Sequence, residues 1–315
     1  VYAMISIIMT TYNRSQIIGF SIRSIQQQTR GDWELLVIGD SCTDNTEAVV
    51  SSFQDPRIRF FNLAKRVGDQ SGGTNFGIKE SKGEFLAFLN HDDFWFPDHL
   101  ERSVTHLEKN NCDLVYTLQI DADPGASATT LRVPSIYLQD FSPFLPPNIS
   151  TWTCRKKWAI DQPPMKPFYQ VFTYPSVDWL LSGWKRGACY KPVPAVTVFV
   201  ITTITRTDSY LRKSSEEHAF FFQQIFEGHK SREQMLVEAF QNPRPTHLQG
   251  YPVKCLLRGL FFRLFKRTLE VFRCNPIAFV LYLRCPKKGG IFPKKGSLRQ
   301  KLYKKRGLNM KDLCQ

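Results

Sequence analysis

Nowhere in the 315 residues do 18 apolar residues follow one another without interruption, so no segment reads as a membrane-spanning helix. The apolar opening, Tyr2 to Met9, follows no basic segment and runs into Thr10, Thr11, Tyr12, Asn13 and Arg14. It is therefore read as a strand from a trimmed start at Val1 and not as a secretory leader. The eight cysteines, at 42, 112, 154, 189, 255, 274, 285 and 314, form no CxxC pair. That spacing speaks against a zinc site or a disulfide framework and for a reducing, cytoplasmic setting. No internal repeat is present, which excludes solenoids and propellers.

Acidic residues are scarce in one place only. Tyr251 to Gln315 holds 17 Lys and Arg against 2 acidic residues, leaving 25 basic and 26 acidic residues in the first 250. The net charge of +14 thus belongs to the tail. The 42% of hydrophobic and 13% of aromatic residues supply ample core for one large domain or one and a half. The boundary is placed at 250, with a globular unit over 1–250 and a basic helical extension over 251–315.

Along the chain, strand-like and helix-like segments alternate from residue 3 to 117, the rhythm of parallel strands with crossover helices. Strands are expected over Ala3–Met9, Trp33–Ile38, Ile58–Phe61, Phe85–Leu89 and Asp113–Tyr116. The helices between them start at Ser15, at Thr43 or Asp44, in the glycine-bearing segment after Val67, and at Pro97. Beyond Gln119, prolines at 124, 134, 143, 146, 147, 163, 164 and 167 predict a loop-rich continuation of the same domain. A helix over Val177–Arg186, ended by Gly187, and a strand over Ala195–Ile201 follow.

The chemistry-bearing stretch is FLAFLNHDDFWF, Phe85 to Phe96. An apolar strand runs straight into Asn90, His91, Asp92 and Asp93. Carboxylates at a strand's C-terminal end stand where open α/β sheets leave a crevice, and oxygen ligands there suit a hard divalent cation that also binds phosphates. A helix cap or turn is the alternative for the pair taken alone.

Four segments in order, ISIIMTTYNR, WELLVIGDSCTDNT, SGGTNFGIKESKGEFLAFLNHDD and FWFPDHLE, resemble the family-2 glycosyltransferases of GT-A fold over roughly residues 3–205. The resemblance implies a mixed, mostly parallel α/β sheet flanked by helices. It also implies inverting transfer of a sugar from a nucleotide-sugar, a uridine diphosphate sugar by preference, to a glycan or lipid-linked acceptor. Thr10, Tyr12 and Arg14 are then expected beside the nucleoside and Asp40 on the base, with Asp44 read first as a helix cap. Glycines 72, 73 and 77, with Asn75, are expected to let the third helix approach the donor. Asn90 replaces the family's first carboxylate, so the binding of Mg or Mn falls on Asp92 with Asp93 assisting. His91, alternating to the opposite side of the strand, is placed near the donor and not on the metal. Inversion needs a base opposite the leaving group, and Asp178 in YPSVDWLLSGWKRG occupies the family's position, with partial burial near Trp179 and Trp184 raising its proton affinity. A cap or an ion pair with Lys185 is the alternative for Asp178. Glu216, Glu217 and His218 form a further polar cluster, read as part of an ordinary amphipathic helix.

In the tail, Leu257, Leu260, Phe261, Leu264 and Phe265 share one helical face with Arg263, Lys266 and Arg267 toward the other. Such helices lie on anionic membranes, which predicts a peripheral position on the inner face, near lipid-linked substrates. A packed helical cap is the alternative, and the tail has no recognised nucleic-acid motif. Two other classes stay open at this point: a non-catalytic nucleotide-sugar or glycan binder, and a membrane-surface scaffold acting through the tail.

Overall fold

The computed structural model describes residues 3–124, 129–132, 141, 146–171, 174–201 and 215–241; the tail and its boundary at 250 lie outside them. In chain order the elements are β1 (Ile5–Thr11), α1 (Ile18–Gln26), β2 (Trp33–Gly39), α2 (Thr46–Ser51), β3 (Ile58–Asn62), α3 (Gln70–Glu80), β4 (Phe85–Phe88) and β5 (Asp93–Trp95). There follow α4 (His99–Lys109), β6 (Leu114–Pro124), β7 (Thr129–Arg132), β8 (Trp152–Arg155), α5 (Lys156–Asp161), α6 (Pro175–Lys185), β9 (Tyr190–Ile201), α7 (Glu216–Phe226) and α8 (Arg232–Gln241).

All nine strands form one sheet in the order β3-β2-β1-β4-β8-β6-β9-β5, with β7 on β6. β1, β2, β3 and β4 pair in parallel, as the alternation of segments predicts. The second half is mixed: β8 runs antiparallel to both β4 and β6, β5 runs antiparallel to β9, and β6 and β9 are parallel. "Mostly parallel" therefore holds for the first half alone. A three-residue β5 directly after the acidic stretch was not expected, because Phe94 and Trp95 carry too short a period to read.

The pleat sends alternate residues of each strand to opposite faces. Ile5, Ile7 and Met9 of β1 and Leu35 and Val37 of β2 pack on one face with Ile18, Ile22 and Ile25 of α1 and Leu100, Val104 and Leu107 of α4. Ile8, Leu36, Ile38, Leu86 and Phe88 pack on the other with Ile78 of α3, Trp158 of α5 and Trp179 and Leu180 of α6. Burial on both sides explains why these strands read as continuous apolar runs.

Two glycines set how closely α3 lies on the sheet. A Cβ on Gly73 would meet Thr10 Cγ2 at 2.7 Å, and one on Gly77 would meet Ile8 Cγ2 at 2.7 Å. Gly72 likewise faces Val67. Gly73 and Gly77 thus serve helix-to-strand packing. The helix starts also differ in detail. Ser15 does not cap α1; its backbone N–H donates to Asp44 Oδ2 at 3.2 Å. Asp44 instead organises the start of α2, accepting from Thr46 N at 3.1 Å.

Candidate active site

Parallel β1, β2 and β4 end on the same sheet edge, so their exits converge. From β4 the chain passes Leu89, Asn90, His91 and Asp92 into β5, which opens at Asp93. From β1 it passes Tyr12 and Asn13 to Arg14, and from β2 it passes Asp40.

His91 fastens the first two exits together. Its Nδ1 lies 3.0 Å from the Thr10 carbonyl oxygen, and Arg14 Nε donates to its Nε2 at 3.3 Å. A guanidinium can only donate, so Nε2 accepts, the proton sits on Nδ1, and the ring is neutral. Burial pulls its pKa down, against the pull of Asp92. Ser21 Oγ of α1 adds a bond to the His91 carbonyl at 2.9 Å. Both ring nitrogens are thereby occupied within the protein, so His91 braces the site and has neither nitrogen left for a hydrogen bond to a donor. Arg14, 7% exposed, is drawn into the same brace.

The two neighbouring aspartates separate. Asp93 is buried; its Oδ2 accepts from Ser150 Oγ at 2.5 Å, Asn90 Nδ2 at 2.9 Å and Asn148 Nδ2 at 3.5 Å. Burial, and then the charge of Asp92, push its pKa well above the carboxylate range. An inward-facing carboxyl so engaged is a scaffold group, which corrects its expected part as a metal ligand. Asp92 is the opposite case. Its side chain is 30% exposed, the neutral His91 ring lies beside it with Nε2 at 4.0 Å, and it accepts no hydrogen bond among the described residues. Asn90 spends Nδ2 on Asp93 and on Asn148 Oδ1, at 3.3 Å, while its Oδ1 accepts nothing from the described residues. Asp92 and Asn90 Oδ1 are therefore the available oxygens at this mouth.

Asp40 is also more engaged than expected. It is buried, and its two oxygens accept from the backbone N–H groups of Val67 and Gly68, each at 2.7 Å. Burial raises its pKa and the two amides oppose that rise. Its first task is thus to hold the turn that leads into α3, with contact to a base only a further use of the same oxygens. Beside it, the Arg66 guanidinium lies 3.7 Å from the centre of the Tyr12 ring, making a flat plate at the β1 exit. Thr10 and Tyr12 remain half-buried at the mouth.

Asn75 is not at the mouth. Its side chain makes a two-point clamp with the backbone of Met165, donating at 2.9 Å and accepting at 2.8 Å. Asp69, the cap of α3, accepts from Ser71 N at 2.7 Å and from Phe168 N at 2.8 Å. Both residues tie the 163–171 segment to α3, so Asn75 is corrected from a donor contact to a clamp.

Asp178 lies half-buried in the first turn of α6. Its helix is set against the end of β4 by Trp179, whose ring meets Phe88 edge-on at 6.3 Å and whose Nε1 donates to Pro163 O at 3.0 Å. Trp184 packs on Phe141, at 6.2 Å. Both indoles are engaged in the core, and Asp178 stands in the first turn of α6.

Sequence reasoning passed over His218. α7 is the amphipathic helix expected, yet His218 sits on its buried face with Phe221 and Phe222. Neither of its ring nitrogens has a hydrogen-bond partner among the described residues. Burial lowers its pKa, with Asp92 the leading charge acting on it in the other direction. A polar ring on an otherwise aromatic helix face was the signal. Among the described residues no group of three or more His, Cys, Asp and Glu is arranged to hold a metal. Asp92 and Asn90 Oδ1 suit a cation that takes its remaining ligands from substrate phosphates.

Comparison with known proteins places this arrangement. Residues 6–152 match the model of Glycosyl transferase family 2. The chain is 39% identical over 113 residues to the UDP-Glc:alpha-D-GlcNAc-diphosphoundecaprenol beta-1,3-glucosyltransferase WfgD of Escherichia coli, covering 36% of this chain and 44% of that protein. It is 36% identical over 91 residues to the GalNAc(5)-diNAcBac-PP-undecaprenol beta-1,3-glucosyltransferase of Campylobacter jejuni, covering 28% of this chain and 29% of that one. The matched part thus spans less than half the length of these relatives. The fold is that of S. aureus TarS 1-349 in its complex with UDP-GlcNAc, with a TM-score of 0.53 at 15% identity over 75% of this chain and 71% of that one. Residues 6–152, just under half of the chain, thus match the family-2 glycosyltransferases, and the fold built around them resembles GT-A.

Proposed function

We propose that the chain transfers a sugar, with inversion, from a uridine diphosphate sugar to a lipid-linked sugar acceptor. The observation that carries this reading is the pair of available oxygens, Asp92 carboxylate and Asn90 Oδ1, at the joint exit of β1 and β4, beside Asn90 Nδ2, His91 and Asp93, which are engaged within the protein. The names of the bacterial relatives, both acting on undecaprenol-linked sugars, support the acceptor class.

Asp92, with Asn90, would hold a divalent cation, Mg or Mn. Such an ion neutralises charge that builds on a departing diphosphate. The rest belongs to the chain itself. Asp40 fixes the turn at Val67 and Gly68, the Tyr12 and Arg66 plate offers a stacking surface for a base, and His91 keeps the exits in register. Asp178, at the start of α6, would be the group that takes the proton from the acceptor hydroxyl as its oxygen attacks.

The test is release of uridine diphosphate from a set of uridine diphosphate sugars with Mn or Mg present, using a short-chain lipid-linked sugar diphosphate as acceptor. Release that depends on both acceptor and cation is expected; no release with any donor overturns the proposal. Asn90, in place of a first carboxylate, favours one competing reading, a donor-binding protein without transfer. In that case donor binding by calorimetry would persist with no release.

The basic tail extends the proposal to the membrane. Its 17 Lys and Arg supply attraction to anionic lipid of about 1 kcal/mol for each charge near the surface, and a bilayer position would bring the cleft to a lipid-borne acceptor.

A further inference from the structure

One large aromatic beside the cleft has no part in the core or in the scheme above. Tyr169 is 55% exposed, in the short 3-10 turn Phe168–Gln170. Its only ring neighbour among the described residues is the adjacent Phe168, at 5.8 Å. Exposed aromatics are unremarkable on mobile loops, but this one stands on a strap fixed at three points. Trp179 Nε1 binds Pro163 O at 3.0 Å, Asn75 clamps both backbone groups of Met165, and Asp69 Oδ2 takes Phe168 N at 2.8 Å. The last bond also gives its address. Asp69 follows Gly68, whose amide is held by Asp40 at 2.7 Å, so the Tyr169 backbone is one residue from a direct link to the rim where the sheet's exits converge. Tyr174, three positions beyond Val171 in the sequence, precedes α6, which carries Asp178.

We infer that Tyr169 is a stacking platform for a pyranose ring of the acceptor, on the side of the cleft between the α3 turn and the start of α6. This inference rests on the glycosyl-transfer reading. A sugar presents an apolar C–H face that an exposed aromatic covers at little conformational cost, since the ring has two side-chain torsions and the strap is already ordered. Two of its anchors, the cap Asp69 and Asn75 within the helix, belong to α3, so Asn75, expected as a donor contact, instead positions the acceptor wall. Tyr169 itself would decide affinity for the acceptor sugar and not for the donor.

The experiment uses the full chain with an N-acetylglucosamine diphosphate carrying a short alkyl group, in the presence of Mn and uridine diphosphate. Saturation-transfer NMR reads contact with the pyranose protons, and calorimetry reads uridine diphosphate binding in the same preparation. Tyr169→Ala is expected to remove most of the saturation transfer, or raise the acceptor KM at least fivefold, while nucleotide affinity stays within about twofold; Tyr169→Trp is expected to restore contact. Unchanged acceptor contact in Tyr169→Ala overturns the inference, as does a wild-type chain that binds uridine diphosphate but shows no contact with the probe. Failure to bind uridine diphosphate at all would instead sink the glycosyl-transfer reading, so the two failures are told apart.

Discussion

The carboxylate of Asp93 accepts from the Ser150 hydroxyl at 2.5 Å, which joins the first residue of β5 to the turn that opens β8. Asn90 and Asn148 bind the same oxygen, so four polar side chains close one buried knot beneath the mouth. Ser150→Ala leaves this carboxyl with one donor fewer in a site closed to water, and a loss of about 1–3 kcal/mol is expected. Urea unfolding followed by tryptophan fluorescence measures it.

Asp92 should behave in the reverse manner. Its side chain is partly exposed and accepts no hydrogen bond from the described residues, so Asp92→Asn is expected to leave stability within about 0.5 kcal/mol of wild type while abolishing cation-dependent transfer. Thermal unfolding beside the uridine diphosphate release assay separates the two effects. A large stability loss would mean that Asp92 is a scaffold group like its neighbour.

Asp178→Asn is expected to stop transfer while uridine diphosphate binding, read by calorimetry, remains near wild type. Since α6 keeps Pro175 in its first turn and Trp179 on Phe88, the helix should persist. Wild-type turnover in this variant would remove Asp178 as the base.

Gly77→Ala tests how tightly α3 is laid on the sheet. The added methyl would stand 2.7 Å from Ile8 Cγ2, and both partners lie in packed interior, so a cost of about 1–3 kcal/mol is expected. Chemical denaturation at fixed pH reads it, and no loss would show that the helix can lift.

Acid stability should report His99. The ring stacks on Trp95 with centroids 4.1 Å apart, Nδ1 meets Thr197 Oγ1 at 2.7 Å, and burial holds the pKa down to about 3. The folded state thus prefers the neutral ring, whereas the unfolded chain takes a proton near 6.5. The unfolded chain binds more protons between those values, so this contribution is whole above about pH 6.5 and is lost as pH falls toward 3, by at most about 1.4 kcal/mol per pH unit. His99→Gln should flatten that part of the profile relative to wild type, measured by urea midpoints from pH 7 to 4.

The first half of the fold was legible because its strands are buried on both faces and its helices carry apolar residues at regular spacing, as Ile18, Ile22 and Ile25 do. The second half was not, since β8 and β6 find their partners across long separations, Leu114 opposite Cys154 for example, and prolines hide the period between. At the site, the positions of Asp92, Asp40 and Asp178 on the exits and on a helix start followed from pattern. Their partners did not. Asp93 and Asp92 are adjacent and of one type, and only the pleat turning one inward to Ser150 separates scaffold from mouth. His218 was hidden for the opposite reason, because a histidine among phenylalanines satisfies the same helical period whether or not its nitrogens find a partner.

The hold of Asp40 on Val67 and Gly68 bears on how a nucleotide would be chosen. With one backbone donor already on each oxygen, the carboxylate meets an incoming base with much of its charge quieted, and the turn it pins has little freedom left to mould itself. Selection at this rim would then depend less on the carboxylate's charge than on the flat cationic surface of Arg66 over Tyr12, against which a planar base can lie.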